Sequence, residues 1–186
     1  MGNPGDIHRP APRRAVRGTT LIEVAIAASV MVIGLLGFMQ VIAMSVGSSS
    51  ANRQADLATQ AAREVIEQIQ AANFATLQTT YGVPPGGAVP GNAFDVPGLD
   101  PDPNDPDGRV GEILLPILVP AGGALQVRED LQRPELGLPR DLNGDGAIDG
   151  GDHSVDKRVL PVLVRLRWRG ATGISRMEFR TLVAPY

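Results

Sequence analysis

The fold is decided by residues 13–46, which read RRAVRGTTLIEVAIAASVMVIGLLGFMQVIAMSV. From Val24 to Val46 this stretch contains no charged residue. At about 1.5 Å of rise per residue, a helix of this length crosses a hydrocarbon layer of about 30 Å. Arginines precede the apolar run, and basic flanks stay on the cytoplasmic side. We therefore expect a single span of the inner membrane, with everything after residue 46 outside the cytoplasm.

Two other interpretations of the apolar run fit the sequence less well. A cleaved secretory signal has a short apolar core followed by a small-residue site, whereas here the run is long and the small residue, Gly18, precedes it. A buried core helix seldom lacks charge over this length. The unusual feature is Glu23, because a carboxylate near the start of a membrane segment is costly without a partner.

Residues 17–24, Arg-Gly-Thr-Thr-Leu-Ile-Glu-Val, resemble the processing site of type IV pilins and type II secretion pseudopilins. The resemblance covers residues 13–46. It implies that a prepilin peptidase cuts between Gly18 and Thr19 and then methylates the new N-terminus at Thr19. It also implies that Glu23 is the assembly residue, which neutralises the N-terminus of a neighbouring subunit. Most members have phenylalanine at the position of Thr19, and this chain departs from the pattern there.

The resemblance divides the chain into three parts. Residues 1–18 are a cytoplasmic leader that is cleaved, residues 19–46 form the transmembrane and assembly helix, and residues 47–186 form a periplasmic or extracellular head. The formal charge is −3, and removing the four arginines and one aspartate of the leader leaves a net charge of −6. Without the leader, the sequence has no basic patch that would indicate nucleic-acid binding. The implied partners are the peptidase, other pilins or pseudopilins, and the inner membrane.

The head is expected to be an α+β domain. An apolar stripe at helical spacing continues the first helix through residues 47–78, and its members are Leu57, Ala61, Val65, Ile69 and Ala72. Such a stripe needs a covering sheet. Strand-like runs lie at residues 112–119, where Pro116 indicates an edge position, and at 124–128, 158–168 and 174–183. The last two predict an antiparallel hairpin whose apolar face packs on the helix.

A second motif, DLNGDGAIDGGD, occupies residues 141–152. Oxygen-bearing side chains stand at positions 1, 3, 5, 9 and 12 of a twelve-residue loop, with glycine at position 6, which is the register of an EF-hand calcium loop. Its predicted Ca²⁺ ligands are Asp141, Asn143, Asp145, the carbonyl of Ala147, Asp149 and Asp152. The alternative is an acidic turn. The closing aspartate resembles the loops of dockerin modules. Because no flanking helices are evident, with Pro139 before the loop and a strand soon after it, we expect a structural calcium site inserted between strands.

The remaining polar features predict no catalysis. Residues 100–107 are acidic and interrupted by prolines, which favours a solvated loop over a cation site. There is no cysteine, His8 lies in the leader, and His153 is expected to be a solvated neighbour of the calcium loop. The absence of cysteine also means that no disulfide can stabilise the head.

These observations predict a minor pilin or pseudopilin that enters, or primes, a type IV pilus or a type II secretion filament. The sequence does not separate these two systems. A membrane-anchored, calcium-binding adhesin or receptor domain that never polymerises is the alternative, and an anchored enzyme is a third class.

Overall fold

The computed structural model describes residues 20–86, 90–121, 123–170 and 173–185. The chain falls into two compact units, residues 1–45 and 46–186, and each is described by itself. One long helix, a short helix and six strands make up the regular structure, so the predicted α+β class, with a long N-terminal helix and a small antiparallel sheet, is confirmed.

The first helix, α1, spans Leu21–Ala71 without interruption. In the first unit its apolar side chains are all exposed, and the hydroxyl of Ser29 donates to the carbonyl of Ala25 at 2.8 Å. Such a bond satisfies the serine within its own helix. Among the described residues, α1 is the one helix long and apolar enough to cross a membrane, as a membrane anchor or a signal sequence would be.

In the second unit, α1 contributes one face to the core. Ala58, Ala62 and Ile69 are fully buried, and the partly buried residues beside them are Leu57, Ala61, Val65, Ile66 and Ala72. The predicted stripe therefore lies on the correct side of the helix. The most buried positions lie one residue further along than Leu57 and Ala61, at Ala58 and Ala62, which are both 0% exposed.

The helix ends earlier than predicted. It stops at Ala71 rather than continuing to residue 78, and a 3₁₀ turn at Phe74–Thr76 precedes the short helix α2 at Leu77–Tyr81. Asn73 is extended, and its Oδ1 accepts the N–H of Ala75 at 2.9 Å. Asparagine competes with the helix in this way because its side chain satisfies a free backbone donor at the start of the next turn.

Two sheets cover α1 and the loops around it. The strands are β1 (Ala93–Phe94), β2 (Gly111–Leu114), β3 (Ile117–Leu118), β4 (Gln126–Val127), β5 (Leu160–Gly170) and β6 (Gly173–Val183). The larger sheet is antiparallel with the order β1-β2-β5-β6, and β3 pairs with β4 in a second sheet. Strand β1 was not predicted, because its two residues lie in a stretch rich in glycine and proline.

The C-terminal hairpin is confirmed. Strands β5 and β6 pair along their whole length, from Leu160 opposite Val183 to Gly170 opposite Gly173. The inward face of β5 is almost completely buried, and it consists of Leu160, Val162, Val164, Leu166 and Trp168. The indole N–H of Trp168 donates to Gln54 of α1 at 3.3 Å. This face packs in the same core as Ala58, Ala62 and Ile69, as the alternation predicted.

The strand predicted at residues 112–119 is in fact two. Strand β2 lies inside the larger sheet between β1 and β5, so the edge position indicated by Pro116 is wrong for it. Pro116 separates β2 from β3, because its missing N–H cannot continue a ladder.

Candidate functional site

The predicted processing site is only partly within the described residues. Gly18 and Thr19, the cleavage and methylation residues, lie outside them. Glu23 lies in the first turn of α1, where its side chain is exposed and its N–H donates to the carbonyl of Thr20 at 3.0 Å. The role of Glu23 in assembly stays a prediction.

The aspartate loop, residues 141–152, is built around two glycines. Gly144 and Gly146 have φ values of +77° and +86°, which side chains disfavour. The reversed backbone turns two N–H groups toward the first residue of the loop. Asp141 accepts the N–H of Gly146 through Oδ2 at 2.9 Å and the N–H of Gly144 through Oδ1. These two donors hold the pKa of Asp141 below its usual value, so the carboxylate is charged at neutral pH.

The next oxygens of the loop follow the same pattern. Oδ1 of Asn143 accepts the N–H of Asp145 at 3.0 Å, and Oδ1 of Asp145 accepts the N–H of Ala147 at 2.8 Å. The amide nitrogen of Asn143 lies 3.1 Å from Asp145 Oδ2 and 3.2 Å from Asp156 Oδ2. A single amide NH₂ group thus donates to two carboxylates, one inside the loop and one outside it.

The second half of the loop uses its carboxylates differently. Oδ1 of Asp149 accepts the N–H of Gly151 at 2.6 Å and lies 3.2 Å from His153 Nε2. Oδ1 of Asp152 accepts the N–H of Val127 at 3.1 Å and that of Ser154 at 3.0 Å. Asp152 therefore ties the end of the loop to β4, and its role as a closing ligand stays a prediction.

The sequence did not predict the role of Glu129, which anchors the start of the aspartate loop. Glu129 is only 1% exposed, and its Oε1 accepts the N–H groups of Leu142 at 2.6 Å and Asn143 at 3.1 Å. Its other oxygen lies 3.7 Å from His153 Nε2. Nothing near Glu129 in the sequence indicates this role, because its partners lie thirteen or more residues away.

His153 is not the solvated neighbour that was expected, and that prediction is wrong. The residue is 6% exposed, and carboxylates of Glu129, Asp149 and Asp156 lie within 3.2–3.7 Å of its ring nitrogens. Burial lowers the pKa of the ring, but the hydrogen bond to Asp149 and the charges of Glu129 and Asp156 outweigh burial and raise the pKa above its usual value. The ring is buried because it fills the space between the aspartate loop and Glu129.

The acidic segment at residues 100–107 is also less solvated than expected. Asp102 is 3% exposed, and its side chain accepts from the guanidinium of Arg167 and from the N–H of Asn104. Arg167 also lies 3.8 Å from Asp105. The expectation of a solvated loop is therefore wrong for Asp102, which is buried against Arg167 of β5.

The aspartate loop turns through two glycines with positive φ, and its calcium site stays a prediction. Within the described ranges, no three Asp, Glu or His side chains are arranged to hold a metal ion. In the first half, Asp141, Asn143 and Asp145 accept N–H groups within the loop itself. In the second half, Asp149 also lies against His153, and Asp152 accepts the N–H of Val127 from outside the loop. Amide and carbonyl oxygens are good Ca²⁺ ligands as well as carboxylates.

Comparison of the chain with protein-family models, with curated proteins and with solved structures finds no match.

Proposed function

We propose that this chain is a minor pilin or pseudopilin, processed by a prepilin peptidase and assembled into, or priming, a type IV pilus or a type II secretion filament. The observation that supports this most is α1. One helix of 51 residues begins two residues before Glu23, exposes apolar side chains throughout its first part and buries one face of its second part in the head. A helix of this kind can lie in lipid before assembly and against other helices afterwards.

The role of Glu23 follows from the cost of its charge. A carboxylate transferred from an aqueous to an apolar environment must be neutralised or paired. If the peptidase cuts after Gly18, the new N-terminus is a cation only a few residues away along the chain. In a bundle of parallel helices, the N-terminus of one subunit can reach the carboxylate of another. The proposed partners are therefore the peptidase, the inner membrane and other subunits, and no catalytic role is assigned.

We also propose that the aspartate loop binds Ca²⁺. The first-half residues Asp141, Asn143 and Asp145 would supply side-chain oxygens, Ala147 its carbonyl, and Asp149 and Asp152 would complete the site. The support is the left-handed backbone at Gly144 and Gly146, whose N–H groups bond to Asp141 and lower the pKa of its carboxyl. A bound cation would stabilise the segment that leads into β5.

The location of the protein tests the proposal. Filaments are sheared from cells, and the fraction of the protein in filaments is compared with the fraction left in the inner membrane. A minor subunit should be found in both fractions, with the filament-held form beginning at Thr19. A membrane-anchored calcium-binding adhesin or receptor domain, the alternative function, would stay entirely in the membrane fraction.

A further inference from the structure

The last strand of the larger sheet has one free edge. Strand β6 runs for eleven residues and pairs with β5 on one side, and no other strand of the described residues pairs with its second side. A strand edge of this length presents unpaired backbone N–H and C=O groups, which can take up an added strand.

The outward side chains of β6 form a patterned row. Side chains alternate across a strand, and Met177, Phe179 and Val183 belong to the core-facing side. The opposite side carries, in order, Ile174, Arg176, Glu178, Arg180 and Leu182. Ile174 and Leu182 are each 48% exposed, and the side chains of Arg176 and Arg180 are more exposed still. Along this row the side chains are, in order, apolar, basic, acidic, basic and apolar, so the pattern is the same in both strand directions.

The charges of this row are not balanced. Glu178 has three guanidinium neighbours: Arg165 at 3.0 Å, Arg180 at 3.5 Å and Arg176 at 3.8 Å. Glu112 also lies near Arg165, at 3.6 Å, but Arg176 and Arg180 share Glu178 alone among the ion pairs of the described residues. Positive charge is therefore in excess along the free edge of a chain whose net charge is negative.

We propose that the free edge of β6 docks an extended acidic segment of another protein as an added strand. Backbone hydrogen bonds would hold the segment about 4.8 Å from β6. Acidic side chains of the segment would stand opposite Arg176 and Arg180, and apolar ones opposite Ile174 and Leu182. Directly opposed pairs of this kind stabilise antiparallel strands, and like charges destabilise them. This docking does not depend on whether the chain enters a filament.

A second copy of the chain is a poorer occupant. Antiparallel pairing of two β6 strands over their whole length would place Glu178 opposite Glu178 and Arg176 opposite Arg180. Both are like-charge pairs, so the edge repels its own full-length partner while it attracts an acidic one.

The proposal is tested with the full-length chain in micelles of an uncharged detergent and three labelled peptides of eleven residues. The first carries valine, glutamate, threonine, glutamate and valine at the alternate positions that face the row. The second has lysine in place of both glutamates, and the third has proline at its centre. Binding is measured by fluorescence anisotropy, and hydrogen exchange of residues 173–183 by mass spectrometry.

We expect the glutamate peptide to bind about tenfold more tightly than the lysine peptide and to slow exchange in β6. The double variant Arg176→Glu, Arg180→Glu should bind the lysine peptide more tightly than the glutamate peptide. Such a reversal would also demonstrate that the variant is folded. Arg63→Glu, on the exposed face of α1, is the matched control and should leave the order unchanged.

Several results would overturn the proposal. The first is no saturable binding of the glutamate peptide up to about 1 mM. Equal binding of the glutamate and lysine peptides, undiminished binding of the proline peptide, or binding without protection of β6 would each do the same. Dimerisation through β6, seen by sedimentation of the wild-type chain and lost in the double variant, would show that the occupant is a second copy instead.

Discussion

The carboxylate of Glu129 accepts the backbone N–H of Leu142 at 2.6 Å, from a position where its side chain is almost completely buried. The same oxygen accepts the N–H of Asn143 at 3.1 Å. In a strand or helix, backbone carbonyls would accept the N–H groups of these two residues. Here the side chain of Glu129 accepts both. Glu129, which lies outside the aspartate loop, therefore anchors the start of that loop to the core.

Replacement of Glu129 by alanine should destabilise the head by about 2–4 kcal/mol, because two buried N–H groups lose their acceptor. Glu129→Gln keeps a carbonyl oxygen in place and should cost less. Thermal or chemical unfolding of both variants measures the difference. Glu67→Ala, at an exposed position of α1, is the control and should have almost no effect. Equal stability of Glu129→Ala and wild type would contradict the anchoring role.

Calcium should raise the melting temperature of a fragment that begins near residue 48. Extracellular calcium loops often bind at about 10⁻⁴–10⁻³ M. At a calcium concentration 100 times the dissociation constant, binding to the folded state alone adds about 2.7 kcal/mol. The measurement compares melting in calcium, in magnesium and in chelator, and magnesium should substitute poorly.

The double variant Asp141→Ala, Asp145→Ala should abolish the calcium effect. Asp95→Ala, with the same change of residue type at an exposed site outside the loop, should retain it. An unchanged melting temperature when millimolar calcium is added to the metal-free wild-type fragment would falsify the calcium site.

Processing depends on a small residue at the cut. We expect Gly18→Leu to leave the precursor uncut, because a branched side chain cannot occupy the place of glycine in the peptidase. Wild type should begin at Thr19. Mass spectrometry of the membrane fraction measures both, with Gly18→Ala as the matched small substitution that should still be cut. A wild-type chain that keeps its full length, or begins elsewhere, would rule out the prepilin assignment.

Glu23→Val should separate membrane insertion from assembly. The substitution makes α1 more apolar, so the chain should still insert and still be cut after Gly18. Without the carboxylate, a neighbouring N-terminus has no partner, and the variant should be missing from filaments. The ratio of membrane-held to filament-held protein is the measurement, and Glu64→Val is the control on the same helix. Normal incorporation of Glu23→Val would show that the carboxylate is not an assembly contact.

The pair formed by Asp102 and Arg167 should make stability depend on pH. The N–H of Asn104 and the guanidinium of Arg167 hold the pKa of Asp102 below its usual value. A lowered pKa means that the pair contributes its stability above the unfolded-state pKa of about 3.9 and loses it as the pH falls through the folded-state pKa. Asp102→Asn should therefore melt below wild type at pH 7, and the gap should narrow as the pH falls below about 4.

Melting temperatures of the two proteins between pH 2 and 7 test this expectation. Asp95→Asn is the control, because Asp95 pairs with Arg109 at an exposed position and exposed pairs contribute little. If the difference in melting temperature between Asp102→Asn and wild type stays constant across this pH range, the loss of stability does not come from the charge of Asp102, and the prediction is wrong.

The features that the sequence predicts correctly are those set by near neighbours along the chain. The apolar run before residue 46 gives a continuous helix because each turn bonds to the turn before it. The alternation from Val164 to Trp168 gives a strand with one buried side, because side chains of a strand point to opposite sides in turn. Residues 160–164 are buried on both sides, which the alternation did not predict. The glycines of the aspartate loop reveal its turn because few other residues adopt a positive φ.

The features that only the tertiary structure decides are contacts between residues far apart in the chain. Asp152 bonds to Val127 across 25 residues, and Asp102 bonds to Arg167 across 65. Such pairings depend on where several loops meet in space, and no local pattern records that meeting. The same reason explains the burial of His153 and the free edge of β6, because both depend on which elements lie beside them. Packing of the whole sheet and helix determines the neighbours of a core side chain, and the adjacent residues in the sequence do not.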